Sequence, residues 1–201
     1  MSALPEALPR ELPVEVVGER APGWWGMLML VGTEATLFAS LLSGYFYLRA
    51  GQATWPPSGI ERPELTLPLA MTAVLLASSG PMWWAERSIR RGDQLGLRLG
   101  LLLSLLLGLT FLLLQGYEYS QKSFTLQSGA YGSLFFTITG FHGLHVLAGL
   151  LMNALVQLRA WLGHFTARRR LAVQNVALYW HFVDVVWLFI LLSLYVSPRV
   201  L

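Results

Sequence analysis

Five long apolar runs dominate this chain: 24–48, 68–86, 95–116, 130–157 and 174–197, each of 19 residues or more. At 1.5 Å per residue, about 20 helical residues cross the roughly 30 Å of hydrocarbon in a bilayer. Lipid offers no partner to an unpaired backbone amide, so only helices and closed barrels span it. The runs lack the alternation of polar and apolar residues that a barrel strand requires. The expected fold is therefore all-α, a polytopic bundle of five transmembrane helices. Composition agrees. Only 12% of the residues are charged, about half the share in a soluble domain, and the mean hydropathy is +0.54.

Residues 1–23 carry Pro5, Pro9, Pro13 and Pro22 among Glu6, Glu11, Glu15 and Glu19, and read as a poorly ordered tail. It lacks the apolar stretch of a signal peptide. Residues 24–201 read as one membrane domain. Arginine placement gives the orientation. Arg87, Arg90, Arg91 and Arg98 lie between runs 2 and 3; Arg159, Arg168, Arg169 and Arg170 lie between runs 4 and 5. With Arg10 and Arg20 they put ten of the 14 basic residues on one side. The positive-inside rule then places the N-terminus in the cytoplasm and the C-terminus in the periplasm. The outer loops, Trp55 to Ile60 and 117–129, are too rich in aromatic residues for floppy linkers and suit packing against a neighbouring protein.

There is no cysteine, which excludes disulfides and thiolate chemistry. No basic stripe interleaved with aromatics points to nucleic acid, and no phosphate-cradling or nucleophile motif is present. The chemistry-bearing residues are a set of acids and histidines inside the runs. Glu34 and Asp184 each lie about ten residues into runs 1 and 5, roughly 15 Å deep. His142 and His145 lie midway along run 4, and His181 shares a helix face with Asp184. Glu118 sits near the outer boundary, where simple solvation is one reading. An acid at the bilayer centre costs roughly 2.5–3.5 kcal/mol on insertion scales. Three readings of this polar layer stay open: hydrogen-bonding glue between helices, proton handling with Glu34 held protonated by desolvation, and a metal site built on His142 and His145 with Glu34, Asp184 or His181.

Several strings resemble a known family. Tyr179-Trp180-His181-Phe182-Val183-Asp184-Val185-Val186-Trp187-Leu188-Phe189 is similar to the last helix of subunit III of haem–copper oxidases. So are Tyr131-Gly132-Ser133-Leu134-Phe135-Phe136, Thr139-Gly140-Phe141-His142-Gly143-Leu144-His145-Val146, Trp55-Pro56-Pro57-Ser58-Gly59-Ile60, Val74-Leu75-Leu76-Ala77-Ser78-Ser79-Gly80, and Leu114-Gln115-Gly116-Tyr117-Glu118-Tyr119. Glu34 falls where that family has a membrane-buried, carbodiimide-reactive glutamate. The resemblance runs from about 24 to 197.

The resemblance implies a non-catalytic accessory subunit of a bacterial respiratory oxidase in the cytoplasmic (inner) membrane. Such a subunit packs on subunit I, beside subunit II and small subunits. It stabilises subunit I and supports proton uptake during dioxygen reduction. It binds no redox metal; haem and copper belong to partner subunits, and phospholipid is a bound component. It has no active site of its own, though the complex is an enzyme, cytochrome-c oxidase. The long form of the family has seven helices, so this chain corresponds to a five-helix form. The alternatives are subunit III of a quinol oxidase, a subunit-III-like partner of nitric oxide reductase, and, from other classes, a free-standing proton or small-solute transporter or an enzyme with a His/Glu metal site.

Overall fold

The computed structural model describes residues 22–57, 59–60 and 62–200. The tail expected over 1–23 lies outside the described residues up to position 21, while Pro22 and Gly23 already belong to the first helix. Five long helices follow one another: α1 (Pro22–Ala50), α2 (Thr66–Arg90), α3 (Gln94–Ser120), α4 (Gly129–Trp161) and α5 (Leu171–Ile190). α5 continues as a π-helical segment, Leu191–Val196, and a last turn, α6 (Ser197–Val200). The described residues contain no strand.

The helices overrun the apolar runs by one to four residues at each end, because hydropathy marks only the part in hydrocarbon. By length and composition α1, α3, α4 and the α5–α6 rod can each cross a membrane. α2 is the least apolar. Its 25 residues still span about 37 Å, but it carries Thr72, Ser78, Ser79 and Glu86. The hydroxyls of Thr72, Ser78 and Ser79 face α5, so this part of the polarity of α2 is turned to protein.

Hydrogen bonds from side chains of one helix to another fix the helix directions. On α2 and α5, Thr72 pairs with Trp187 and Ser78 with Trp180, each indole N–H donating at 2.8 Å. Rising numbers meet falling ones, so these helices are antiparallel. α3 and α4 are antiparallel too. Arg98 donates to the Ala160 carbonyl, Asn153 to the Leu101 carbonyl and Gln115 to the Thr139 carbonyl. α1 and α5 run parallel, tied by Asn175 to the Gly23 carbonyl at one end and Arg49 to Ser197 at the other. Gln94 of α3 also bonds the Phe165 carbonyl. Both arginine-rich turns therefore lie at one end of the bundle.

The α2–α3 turn is short because Gly92 takes φ +79°, a left-handed conformation that favours glycine. The amide of Gly92 bonds Ile89 O and that of Asp93 bonds Ser88 O, closing α2. Asp93 then opens α3, its carboxylate accepting from the Gly96 amide at 3.0 Å.

α5 forms the centre. Of its most apolar 18-residue window 61% is buried, against 6% for α1. Trp180 is wholly enclosed, in a slot between α3 and α4. A Cβ on Gly108 would stand 2.4 Å from its ring, and one on Gly149 2.9 Å, so both walls of the slot require glycine. Trp187, also wholly enclosed, meets Phe111 edge to face at 4.8 Å between centroids.

Candidate functional site: a divided polar layer

The structure splits the expected polar layer into three separate groups. The first joins α1 to α4. His145 Nε2 lies 3.0 Å from Glu34 Oε2, and its Nδ1 lies 2.7 Å from the Phe141 carbonyl. Since Nδ1 must donate to that carbonyl, a neutral His145 offers Nε2 as an acceptor. The carboxyl of Glu34 and the imidazole then share one proton, as acid and neutral ring or as carboxylate and imidazolium. Phe38 packs edge-on against His145, 4.9 Å between centroids. Both side chains are largely shielded, 29% exposed for Glu34 and 13% for His145.

The second group joins α2 to α5. Ser79 Oγ lies 3.0 Å from His181 Nδ1 and donates to Asp184 Oδ2. His181 and Asp184 share a helix face, as their spacing requires, but Nδ1 and Oδ2 are 3.8 Å apart. That exceeds a hydrogen bond, so the Ser79 hydroxyl is the bridge.

The third is His142 alone. Its ring stacks on Trp187 at 5.2 Å and is edged by Phe111 and Phe38. It is fully buried, and neither ring nitrogen has a hydrogen-bond partner among the described residues. His142 therefore serves the core as an aromatic ring. It does not converge with His145, whose two nitrogens are already engaged. Among the described residues no three His, Cys, Asp or Glu side chains gather as a metal-binding group.

Glu118 departs from its expected solvation. It is 2% exposed, pairs with Lys122 at 2.7 Å and accepts from the Tyr195 hydroxyl at 3.0 Å. Tyr195 lies in the π-helical segment. The Lys122 ammonium also sits over the rings of Phe135 and Tyr195, at 5.1 and 5.5 Å. Glu86 pairs with Arg90 at 2.5 Å and Arg87 covers the Trp83 ring.

Sequence reasoning missed Ser79 as the bridge and Thr72 and Ser78 as partners of the two buried tryptophans. The available signal was position: Ser79 and Asp184 each lie 13 residues from the start of their antiparallel helices.

These groups can hold or pass protons and lock helix to helix. The profile of the family described as cytochrome c oxidase subunit III matches residues 21–198, nearly the whole chain. The chain belongs to the cytochrome c oxidase subunit III family. Among relatives, cytochrome c oxidase subunit 3 of Oryctolagus cuniculus is 40% identical over 177 residues, covering 85% of this chain and 68% of the relative. That of Lemur catta is 40% identical, covering 85% and 65%, and that of Sus scrofa 38% identical, covering 85% and 68%. As a subunit III, the chain is a multi-pass membrane component of a respiratory oxidase complex. Its divided polar layer is thus a feature of an assembly subunit.

Proposed function

We propose that this chain is the non-catalytic subunit III of a bacterial haem–copper oxidase, a cytochrome c oxidase, in the inner membrane. It packs chiefly on subunit I, alongside subunit II and small subunits, with phospholipid at its surface. Haem and copper reside in the partner subunits. The end carrying the two arginine-rich turns faces the cytoplasm, which puts the C-terminus in the periplasm. Its roles are to stabilise subunit I and to support proton uptake on the cytoplasmic side during dioxygen reduction.

The observation that carries this reading is the family match across residues 21–198. The Glu34–His145 pair supports the proton role, because an acid and an imidazole 3.0 Å apart in the hydrocarbon layer can exchange a proton. Purification in mild detergent followed by mass spectrometry of the associated chains tests the assignment. Haem–copper oxidase subunits I and II should co-purify. Recovery of a nitric oxide reductase large subunit, or of the chain alone with proton transport in vesicles, would refute it. Within the complex, Glu34→Ala should leave dioxygen reduction running but shorten the number of turnovers before inactivation. Complete loss of turnover at once, with the complex intact, would contradict an accessory role.

A further inference from the structure

At the end of the bundle where α2 stops and α5 starts, a cavity of about 280 Å³ opens between the helices. Its polar lining is Glu86, Arg90, Arg170, Gln174 and His181, and Trp24 and Leu178 complete the wall. Arg170 immediately precedes α5 and His181 lies ten residues into it, so the notch reaches about 15 Å along the helix. At roughly 30 Å³ per molecule the space accommodates about nine waters. The Glu86–Arg90 pair and Arg170 stand at the mouth, Gln174 partway down, and His181 at the floor, its side chain 42% exposed.

Behind that floor lies the bridge described above, from His181 Nδ1 through the Ser79 hydroxyl to Asp184 Oδ2. Asp184 is 4% exposed, and its second oxygen is enclosed with no hydrogen-bond partner among the described residues. The network stops there. Beyond Asp184 toward the opposite end, Thr72 and Trp187 are bonded to each other. The ionisable groups on the helices around α5 are engaged elsewhere. Glu34 of α1 is paired with His145 of α4, and His142 is caged by aromatic rings. Glu118 of α3 is held by Lys122 and Tyr195. On α2 the nearest charge is Glu86, two turns from Ser79 and bound to Arg90.

We propose that Asp184 is a proton-holding site loaded from one end of the bundle only, through this notch and across His181 and Ser79. The transfer balances. A proton from the notch binds Nε2 of His181; Nδ1 passes its own proton to Ser79 Oγ; Ser79 passes its hydroxyl proton to Oδ2. The carboxylate becomes a carboxylic acid, and the ring returns to neutral with its proton on Nε2. Unloading is the reverse sequence to the same end. With no onward hydrogen-bonded path among the described residues, the site stores a proton and does not conduct it across the membrane. Its physiological use rests on the proton-uptake reading above, whereas the relay rests on this geometry.

The test is infrared spectroscopy of the intact complex in oriented proteoliposomes, with the carboxyl band of Asp184 assigned by its loss in Asp184→Asn. A pH jump on the notch side should change the band; a jump on the opposite side, with the notch side clamped, should not. Ser79→Ala should slow loading about 100-fold, and Ser79→Thr, which keeps the hydroxyl, should restore it. His181→Phe, at a partly exposed position, should abolish loading while the complex still assembles. A band indifferent to pH on both sides, a response from the opposite side, or unchanged loading in Ser79→Ala or His181→Phe overturns the proposal. The two readings fail separately. Normal loading in a complex whose turnover is unaltered by Asp184→Asn keeps the relay and removes its link to uptake, whereas a dead relay leaves the accessory assignment untouched.

Discussion

Replacing Gly108 by alanine sets a methyl group against the wholly enclosed indole of Trp180. The new Cβ would lie 2.4 Å from Cη2 and 2.6 Å from Cζ2 of Trp180, and 2.9 Å from a methyl of Leu150. Trp180 cannot swing aside. Gly149 closes the opposite wall, and the indole N–H is tied to Ser78 at 2.8 Å. Overpacking of this kind costs about 1–3 kcal/mol, and slackening one interhelical hydrogen bond adds about 0.6 kcal/mol. Against this stands the gain of about 1 kcal/mol in helix propensity from glycine to alanine. The net expectation is a destabilisation of about 0.6–2.6 kcal/mol. Gly116 is the internal control. It lies on the same helix with nothing within 4 Å of its Cβ position, so Gly116→Ala should be neutral or stabilising by up to about 1 kcal/mol. Denaturant titration of the two purified variants in one detergent reads both signs. Gly108→Ala at or above parental stability would refute the two-walled slot.

Three further outcomes follow from the contacts. A double-mutant cycle with Glu34→Gln and His145→Phe should give a coupling of about 0.6 kcal/mol, and no more than about 1.7 kcal/mol, the range for polar contacts between membrane helices; zero coupling would mean the pair is not formed. Lys122→Met should cost about 3–5 kcal/mol, because it strands the buried Glu118 carboxylate, and adding Glu118→Gln should recover most of that loss. Asp93→Ala removes the cap at the start of α3 and should cost about 1 kcal/mol; an unchanged denaturation midpoint would assign the cap no weight.

The helices were legible because hydrocarbon imposes a length and an apolar composition on any crossing segment. α2 was the faintest, since Thr72, Ser78 and Ser79 dilute its hydropathy while packing against α5. The arginine counts paired the two basic turns at one end, and the Arg98–Ala160 and Gln94–Phe165 bonds join them there. Pairing inside the layer was not legible. Depth alone makes Glu34, His142, His145, His181 and Asp184 neighbours, yet which of them meet depends on each helix's rotation about its axis. A single hydroxyl such as Ser79 leaves no trace in a hydropathy profile. Glu118 misled for a related reason. Its position near the helix end suggested water, but Tyr195 reaches it from a π-helical segment whose existence no residue pattern announces.

The central place of α5 has a consequence for biogenesis. A chain is made from its N-terminus at about 5–20 residues per second. Gly149, the second wall of the slot, is synthesised 31 residues before Trp180, which fills it. For about 2–6 s the nascent bundle holds an unfilled slot between α3 and α4. Thr72, Ser78 and Ser79 meanwhile wait on α2 for Trp187, Trp180 and His181. The last span to be made is thus the keystone of the others. Premature termination between α4 and α5 leaves four helices whose inward hydroxyls have lost their partners on α5, a species suited to quality-control proteolysis rather than to assembly.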